Sequence, residues 1–262
     1  MVAVIQTEWF DTSDYISPKY ANSADCLNTR STQGRNATPL GIFPAARNVM
    51  GGIELDVASD ELINEEVQAD RIHTLEDDGF SKSWVAESVF CNAPGSTVTG
   101  GTYAERLLLL DLLEEFKRRR NQKPKDVSAK EWKKELDKEF KSRRPSEVKV
   151  ITAIDWYRKL YQEWLTGNVK QAIALHYRAG SIGSLGTQII SLPLCITTSG
   201  ASSPIVNGSG RFAFEIITDG KRVPETANTQ SSAFTYFPDR DDLDGSIGRF
   251  KEHFTQFGVV KV

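Results

Sequence analysis

The feature that most constrains this chain is an ordered change of period along it. Short apolar runs bounded by turn residues alternate with helical stretches through the first two thirds, and strand-like runs then follow one another. Residues 52–57 read as a short strand after a Gly-Gly turn, and Val89-Phe90-Cys91 as another, ending at Asn92-Ala93-Pro94-Gly95. Helices are expected over 39–50, from a Ser59 or Asp60 cap through Ala69, over 103–120, 128–142 and 151–166 with Gly167 as its C-cap, and over 244–256. Further strands are expected at 170–178, 191–198, 210–218 and 231–237. That order predicts an α/β fold with a mostly parallel sheet and an antiparallel edge. Residues 1–37 show no clear period and read as an irregular N-terminal arm, with 38–262 as one domain. A chain of 262 residues is long enough to bury a substantial core.

Several classes fall away on composition. No apolar run reaches the roughly 18 residues of a membrane span. The first residues lack the basic-then-apolar order of a secretory signal, so a cytoplasmic home is expected. Cys26, Cys91 and Cys195 lie far apart, which argues against a disulfide framework or a cysteine-built zinc site. His73, His176 and His253 are dispersed and have no metal-ligand spacing, so no metal is expected. His176, inside the apolar run 172–177, reads as a core or strand-end histidine. Neither a nucleophile elbow nor a P-loop is present, and Gly180-Ser181-Ile182-Gly183 lacks the third glycine of a phosphate-binding turn.

Charge is unevenly spread. Residues 117–149 hold 14 Lys or Arg against 6 Asp or Glu, a local excess of +8 in a chain whose net charge is −3. The segment reads either as a solvated helical excursion or as an arm that contacts phosphates through Arg118, Arg119, Arg120, Arg143 and Arg144. It lies in a helical insert at about 103–150.

In open parallel sheets ligands sit beyond the carboxyl ends of the strands. Two such ends stand out. Glu54 and Asp56 are acids on the first strand that can accept hydrogen bonds from a ribose. For Asp56 a helix-capping or turn role competes. About twenty residues on, Glu76-Asp77-Asp78-Gly79-Phe80 puts acids and an aromatic ring in one loop, suited to an adenine amino group and face. Asn92 then tips the next strand.

The stretch 38–96 resembles the phage-type DNA adenine N6-methyltransferases. The residues that carry the likeness are Thr38-Pro39, Leu55-Asp56-Val57-Ala58-Ser59, Asp78-Gly79-Phe80, Trp84 and Asn92-Ala93-Pro94-Gly95. The resemblance implies a Rossmann-like methyltransferase sheet, S-adenosylmethionine as donor, DNA as partner, and a bacterial or phage-infected cell. It implies that the Asn92 amide oxygen and the Ala93 carbonyl accept the amino hydrogens of a flipped adenine. It also implies that Thr38, Pro39, Asp56 and Asp78 lie on the donor. Two positions depart from the pattern: Val57 stands where the family has Pro, and Gly95 where it has an aromatic ring. Base stacking is worth about 1–3 kcal/mol. Either another ring, from Tyr103, Phe90 or Trp84, replaces it, or the chain is a catalytically degenerate relative that binds DNA or a partner.

Overall fold

The structure is a computed structural model that describes residues 35–38, 41–94, 96–176, 191–206, 208–212, 215–218, 221–224 and 232–262. Arg35–Ala37 form β1, Ile42–Met50 α1, Leu55–Asp56 β2, Glu61–Val67 α2, Arg71–Ile72 β3 and Ala86–Cys91 β4. Ser96–Thr99 (β5) and Lys149–Thr152 (β6) bracket the helices Tyr103–Arg120 (α3) and Ala129–Arg143 (α4). Then come Ala153–Leu165 (α5), Val169–His176 (β7), Leu194–Thr197 (β8), Glu215–Thr218 (β9), Lys221–Pro224 (β10), Ala233–Phe237 (β11), Leu243–Phe254 (α6) and Gly258–Lys261 (β12).

Helices α2, α3 and α4 start where the sequence supplies a cap. Asp60 accepts from the Ile63 N–H at 2.9 Å, and Thr102/Glu105 and Ser128/Glu131 form reciprocal capping boxes. Pro44 falls in the first turn of α1, where its missing N–H costs no bond. Gly167 follows α5 at φ 82°, a left-handed turn that an L side chain resists.

The main sheet has seven strands in the order β12-β8-β11-β7-β4-β2-β3. The pairs β2/β3, β2/β4 and β4/β7 are parallel; β11 runs antiparallel to both β7 and β8, and β12 antiparallel to β8. The α/β class, the parallel body and the antiparallel edge are therefore as expected. Side chains alternate across the sheet. Phe90, Ile173 and Leu175 meet α1 and α6 on one face, while Val89, Cys91, Ala172 and Ala174 meet Trp156, Tyr157 and Leu160 of α5 on the other. A strand covered on both faces has no polar side to show, which is why Val89–Cys91 of β4 and Ala172–Leu175 of β7 read as apolar runs.

Four details differ from the sequence reading. The 52–57 strand is only two residues long. Residues 35–37, read as the end of an irregular arm, pair with β9 instead. The expected 210–218 strand survives as Glu215–Thr218 and belongs to a separate sheet, β1-β9-β10. The helical insert stands on a two-stranded stalk, β5 paired with β6. Among the described residues no helix is long and apolar enough to cross a membrane.

His176, at the end of β7, is 1% exposed, and its Nε2 lies 2.8 Å from Thr235 Oγ1. Burial drives its pKa down to about 3. The unfolded chain takes up this proton near the ordinary value of 6.5 and the folded chain does not, so acid favours unfolding. Native stability should fall by about 1.4 kcal/mol per pH unit below 6.5 from this residue alone. Urea midpoints measured between pH 7 and 5 should show that slope reduced in His176→Gln.

Candidate functional site

The chain leaves β2 through α2 to β3 on one side, then returns past β2 to place β4 on the other. The strand order thus reverses between β2 and β4, and the crevice at their carboxyl ends is where an open α/β sheet receives a ligand. Asp56 ends β2 level with Phe90, and Asn92 follows the end of β4.

Thr38 and Asn92, 54 residues apart, meet here. The Asn92 Nδ2 donates to Thr38 Oγ1 at 2.6 Å, and Thr38 is 4% exposed. This bond fixes the amide. With its N–H₂ turned to Thr38, Oδ1 is left buried with no hydrogen-bond partner among the described residues. A buried acceptor without a partner costs free energy, so its persistence marks a place where an incoming donor gains more than water would give. Ser59 Oγ and His73 Nε2, beside the ends of β2 and β3, are buried without partners in the same way. Burial is the first cause of the lowered pKa of His73, which keeps the ring neutral near pH 7.

Asp56 is 2% exposed, and its Oδ1 accepts from the Ala58 N–H at 3.2 Å, a turn that bends the chain away from β2. Its charge lies close enough to Cys91 to add to the burial that raises that thiol, so Cys91 stays a thiol. Val57 N–H then bonds Phe90 O at 3.3 Å, and Ser59 N–H bonds His73 O at 2.9 Å, which stitches the three strand ends together.

The loop 74–81 closes one wall. A Cβ on Gly79 would come within 2.5 Å of the Val57 carbonyl and 2.6 Å of His73 Cβ, so only glycine fits. Trp84 Nε1 donates to Gly79 O at 2.8 Å, and the Trp84 ring stacks on Trp156 at 5.6 Å between centroids. Asp78 adopts φ 57° and is 8% exposed. Its carboxylate accepts from Thr99 Oγ1 at 2.7 Å and from the Gly100 N–H at 2.8 Å, and lies 3.8 Å from the buried Arg106 guanidinium. Arg106 in turn donates to the carbonyls of Leu75, Glu76, Gly100 and Gly101. Asp78 is thus a tie between this loop and the root of α3, a correction to its reading as an acid open to the donor.

Glu54 is also corrected. It sits at the amino end of the strands, with its carboxylate 2.8 Å from Arg71 and accepting from the Glu87 N–H at 2.7 Å. The Glu87 N–H, ahead of Arg71, holds that carboxyl below its ordinary range. Glu54 precedes β2, whereas Asp56 ends that strand. Phe80 is half-buried and packs edge-on against Trp156 at 5.4 Å. The side chain of Ala93 is buried in the core beneath the loop, and Pro94 is half-buried. Pro39 and Gly95 lie outside the described residues. Of the rings that sequence offered in place of the missing aromatic, Trp84 and Phe90 are fully committed to the core, whereas Tyr103 is 40% exposed at the start of α3.

The arginines of the insert are occupied. Arg119 and Arg143 both bond Glu115 and Glu139, with Arg119 reaching Glu139 through two nitrogens at 2.7 and 2.8 Å. This holds Glu139 down at about 2. Both guanidinium groups also lie over Phe116. Arg120 is 3.7 Å from Asp137, and Arg144 donates to the Val148 carbonyl. Only Arg118 of the five is exposed and makes no ion pair among the described residues. Of the expected phosphate-contacting arginines, Arg119, Arg120 and Arg143 instead join α3 to α4.

Sequence reading missed Arg106; it took Ser59 only as a cap and a motif residue and His73 only as a histidine without metal-ligand spacing. Arg106 sits in a leucine-rich helix where nothing in the periodicity distinguishes it from a surface arginine. The Asp-Gly pair at 78–79 was the one local signal that a tight turn packs here. Among the described residues, no group of three or more His, Cys, Asp or Glu is arranged to hold a metal ion. No family model, curated protein or solved structure matches the chain.

Removing the guanidinium strands four carbonyls and the Asp78 charge in a dry site. Arg106→Met should lower unfolding free energy by about 3 kcal/mol in urea titrations, whereas the exposed Arg118→Met should shift it by less than about 0.5 kcal/mol.

Proposed function

We propose that the protein is a DNA adenine N6-methyltransferase that uses S-adenosylmethionine, built on a Rossmann-like sheet and working in the cytoplasm of a bacterial or phage-infected cell. The observation that carries this reading is the Thr38–Asn92 bond at the switch point, which leaves the Asn92 amide oxygen buried without a hydrogen-bond partner among the described residues.

An adenine amino nitrogen is a weak nucleophile because its lone pair is delocalised into the ring. An acceptor on its N–H draws that pair back onto nitrogen. Asn92 Oδ1 is such an acceptor, and Thr38 keeps the amide from rotating its N–H₂ toward the base instead. The Ala93 carbonyl is the second acceptor, and its supply does not depend on the side chain at 93. The target base must leave the duplex to reach these groups. S-adenosylmethionine, when bound, supplies a methyl group on an electrophilic sulfonium. The residues near the ends of β2 and β3 have chemistry that suits it: Asp56 places a buried carboxylate at the end of β2, and the buried Ser59 Oγ and His73 Nε2 have no hydrogen-bond partner among the described residues. Holding donor and nitrogen in line supplies much of the rate.

A second reading has its own observation. Of the three rings named for base stacking, Phe90 and Trp84 are locked in the core and Tyr103 is exposed; the second reading is that no ring takes the place of the missing one. In that case the chain binds DNA or a partner with little turnover.

Calorimetric titration with S-adenosylmethionine and transfer of labelled methyl to duplex DNA test the proposal together. Asn92→Ala should abolish transfer and spare donor affinity. Thr38→Val should reduce kcat by tenfold or more, with Thr38→Ser restoring most of it. No donor binding by the unaltered protein overturns the enzyme reading; donor binding without transfer favours the degenerate one.

A further inference from the structure

With four of those five arginines engaged within the insert and Arg118 the exception, the rest of its positive charge is on lysines, four of which line one face of α4. Lys130, Lys134, Lys138 and Lys141 are all exposed and recur at helical spacing on the face away from Trp132, Leu136 and Phe140, which pack toward α3. Among the described residues none of the four makes an ion pair. The acids of the helix do not neutralise them. Glu131 is held by the Ser128 capping box, Asp137 faces Arg120, and Glu139 is held by Arg119 and Arg143; Glu135 alone is uncommitted.

We infer that this lysine face of α4 is a contact surface for the phosphate backbone of duplex DNA. The inference rests on the adenine-methyltransferase reading for its choice of partner. Lysine and arginine are used here for different tasks. The planar forks of Arg119 and Arg143 match carboxylates in fixed bidentate geometry, and hold the helices together. Lysine heads on flexible stems are strongly hydrated point charges, suited to a line of phosphates whose positions need not be fixed. From Lys130 to Lys141 the stripe spans about 16 Å of helix. That length passes several phosphates, which recur about every 3.4 Å along one strand. The arm is also correctly rooted. Its stalk strand β5 begins at Ser96, four residues after Asn92, and Arg106 and Asp78 fix the root of α3 to the crevice wall. Backbone contact on the arm would therefore be transmitted to a rigidly placed site.

The test is fluorescence anisotropy of a mixed-sequence 30-base-pair duplex titrated with the full chain across a series of KCl concentrations. The comparison is K130Q/K134Q/K138Q/K141Q against the unaltered protein and against K251Q/K261Q, two exposed lysines remote from the insert. Each lost phosphate contact should flatten the slope of log K against log salt by about 0.9, so the quadruple variant should lose about 3.6 of slope and the control pair none. Equal slopes for the quadruple variant and the unaltered protein, with DNA still bound, overturn the inference and leave the methyl-transfer reading intact. Binding to single-stranded RNA or to an acidic protein in place of duplex DNA also overturns it. A flattened slope in a protein that neither binds donor nor transfers methyl keeps the surface and removes the enzyme. Donor calorimetry and circular dichroism of the quadruple variant should match the unaltered protein, since these side chains touch neither core nor crevice.

Discussion

A guanidinium buried between two loops is the contact on which the site's architecture turns. Taking Arg106 and Asp78 out of water costs several kcal/mol for each ion, and their separation of 3.8 Å does not offset that alone. What offsets it is the number of hydrogen bonds. Arg106 binds carbonyls of 75 and 76 on one segment and of 100 and 101 on another, while Asp78 takes a hydroxyl and a backbone N–H from 99 and 100. The bonds to 75 and 76 and those of Asp78 cross between the crevice wall and the root of the insert. With that tie in place, Gly79 is pressed on the Val57 carbonyl and its own carbonyl receives Trp84. The wall is thus held by buried polar bonds as well as by the packing of Phe80 and Trp84 on Trp156.

The opposite wall depends on one bond. Thr38 and Asn92 come from segments far apart in sequence, and neither orientation is fixed until α1 has packed on the sheet. Ile42, Phe43 and Ala46 of α1 meet Phe90 of β4 in the same core, which carries Thr38 to the strand end. Core packing on one face of the sheet therefore sets the direction of an amide at its edge. Truncation in that core would be felt at Asn92 before it unfolded the domain.

Sequence showed the parts of this arrangement that depend on local period. Helices with clear apolar stripes and caps, α1 and α3 to α6, were legible to within a few residues, as were β4 and β7, whose residues are buried on both faces. Short strands were not. β3 is Arg-Ile, β5 is Ser-Thr-Val-Thr and β6 is Lys-Val-Ile-Thr; they are strands because of their neighbours, and carry no alternation of their own. Glu54 and Asp56 look equivalent as acids two apart on one strand. Which end of a two-residue strand each faces is decided by Arg71 and Glu87, on partners the sequence cannot align. The same holds for the insert: a run of arginines reads as a field facing outward until the glutamates that face them are placed across the hairpin.

That exchange of roles bears on how charge should be read in helical insertions generally. A hairpin of two helices has an inner seam too narrow for a large apolar core, and here only Leu112, Phe116 and Leu136 are buried in its outer part. Arginine–glutamate forks over Phe116 supply what packing cannot, because the guanidinium stacks on the ring while its edge bonds the carboxylates. Those pairs are partly exposed, and each isolated pair contributes little. Two acids shared by two arginines form a network, in which ordering one side chain also orders the next. The same helix can then present lysines outward without competition for its acids, since every inward carboxylate is already held. Stability and recognition thus draw on opposite faces of α4, and a change on one face leaves the other in place.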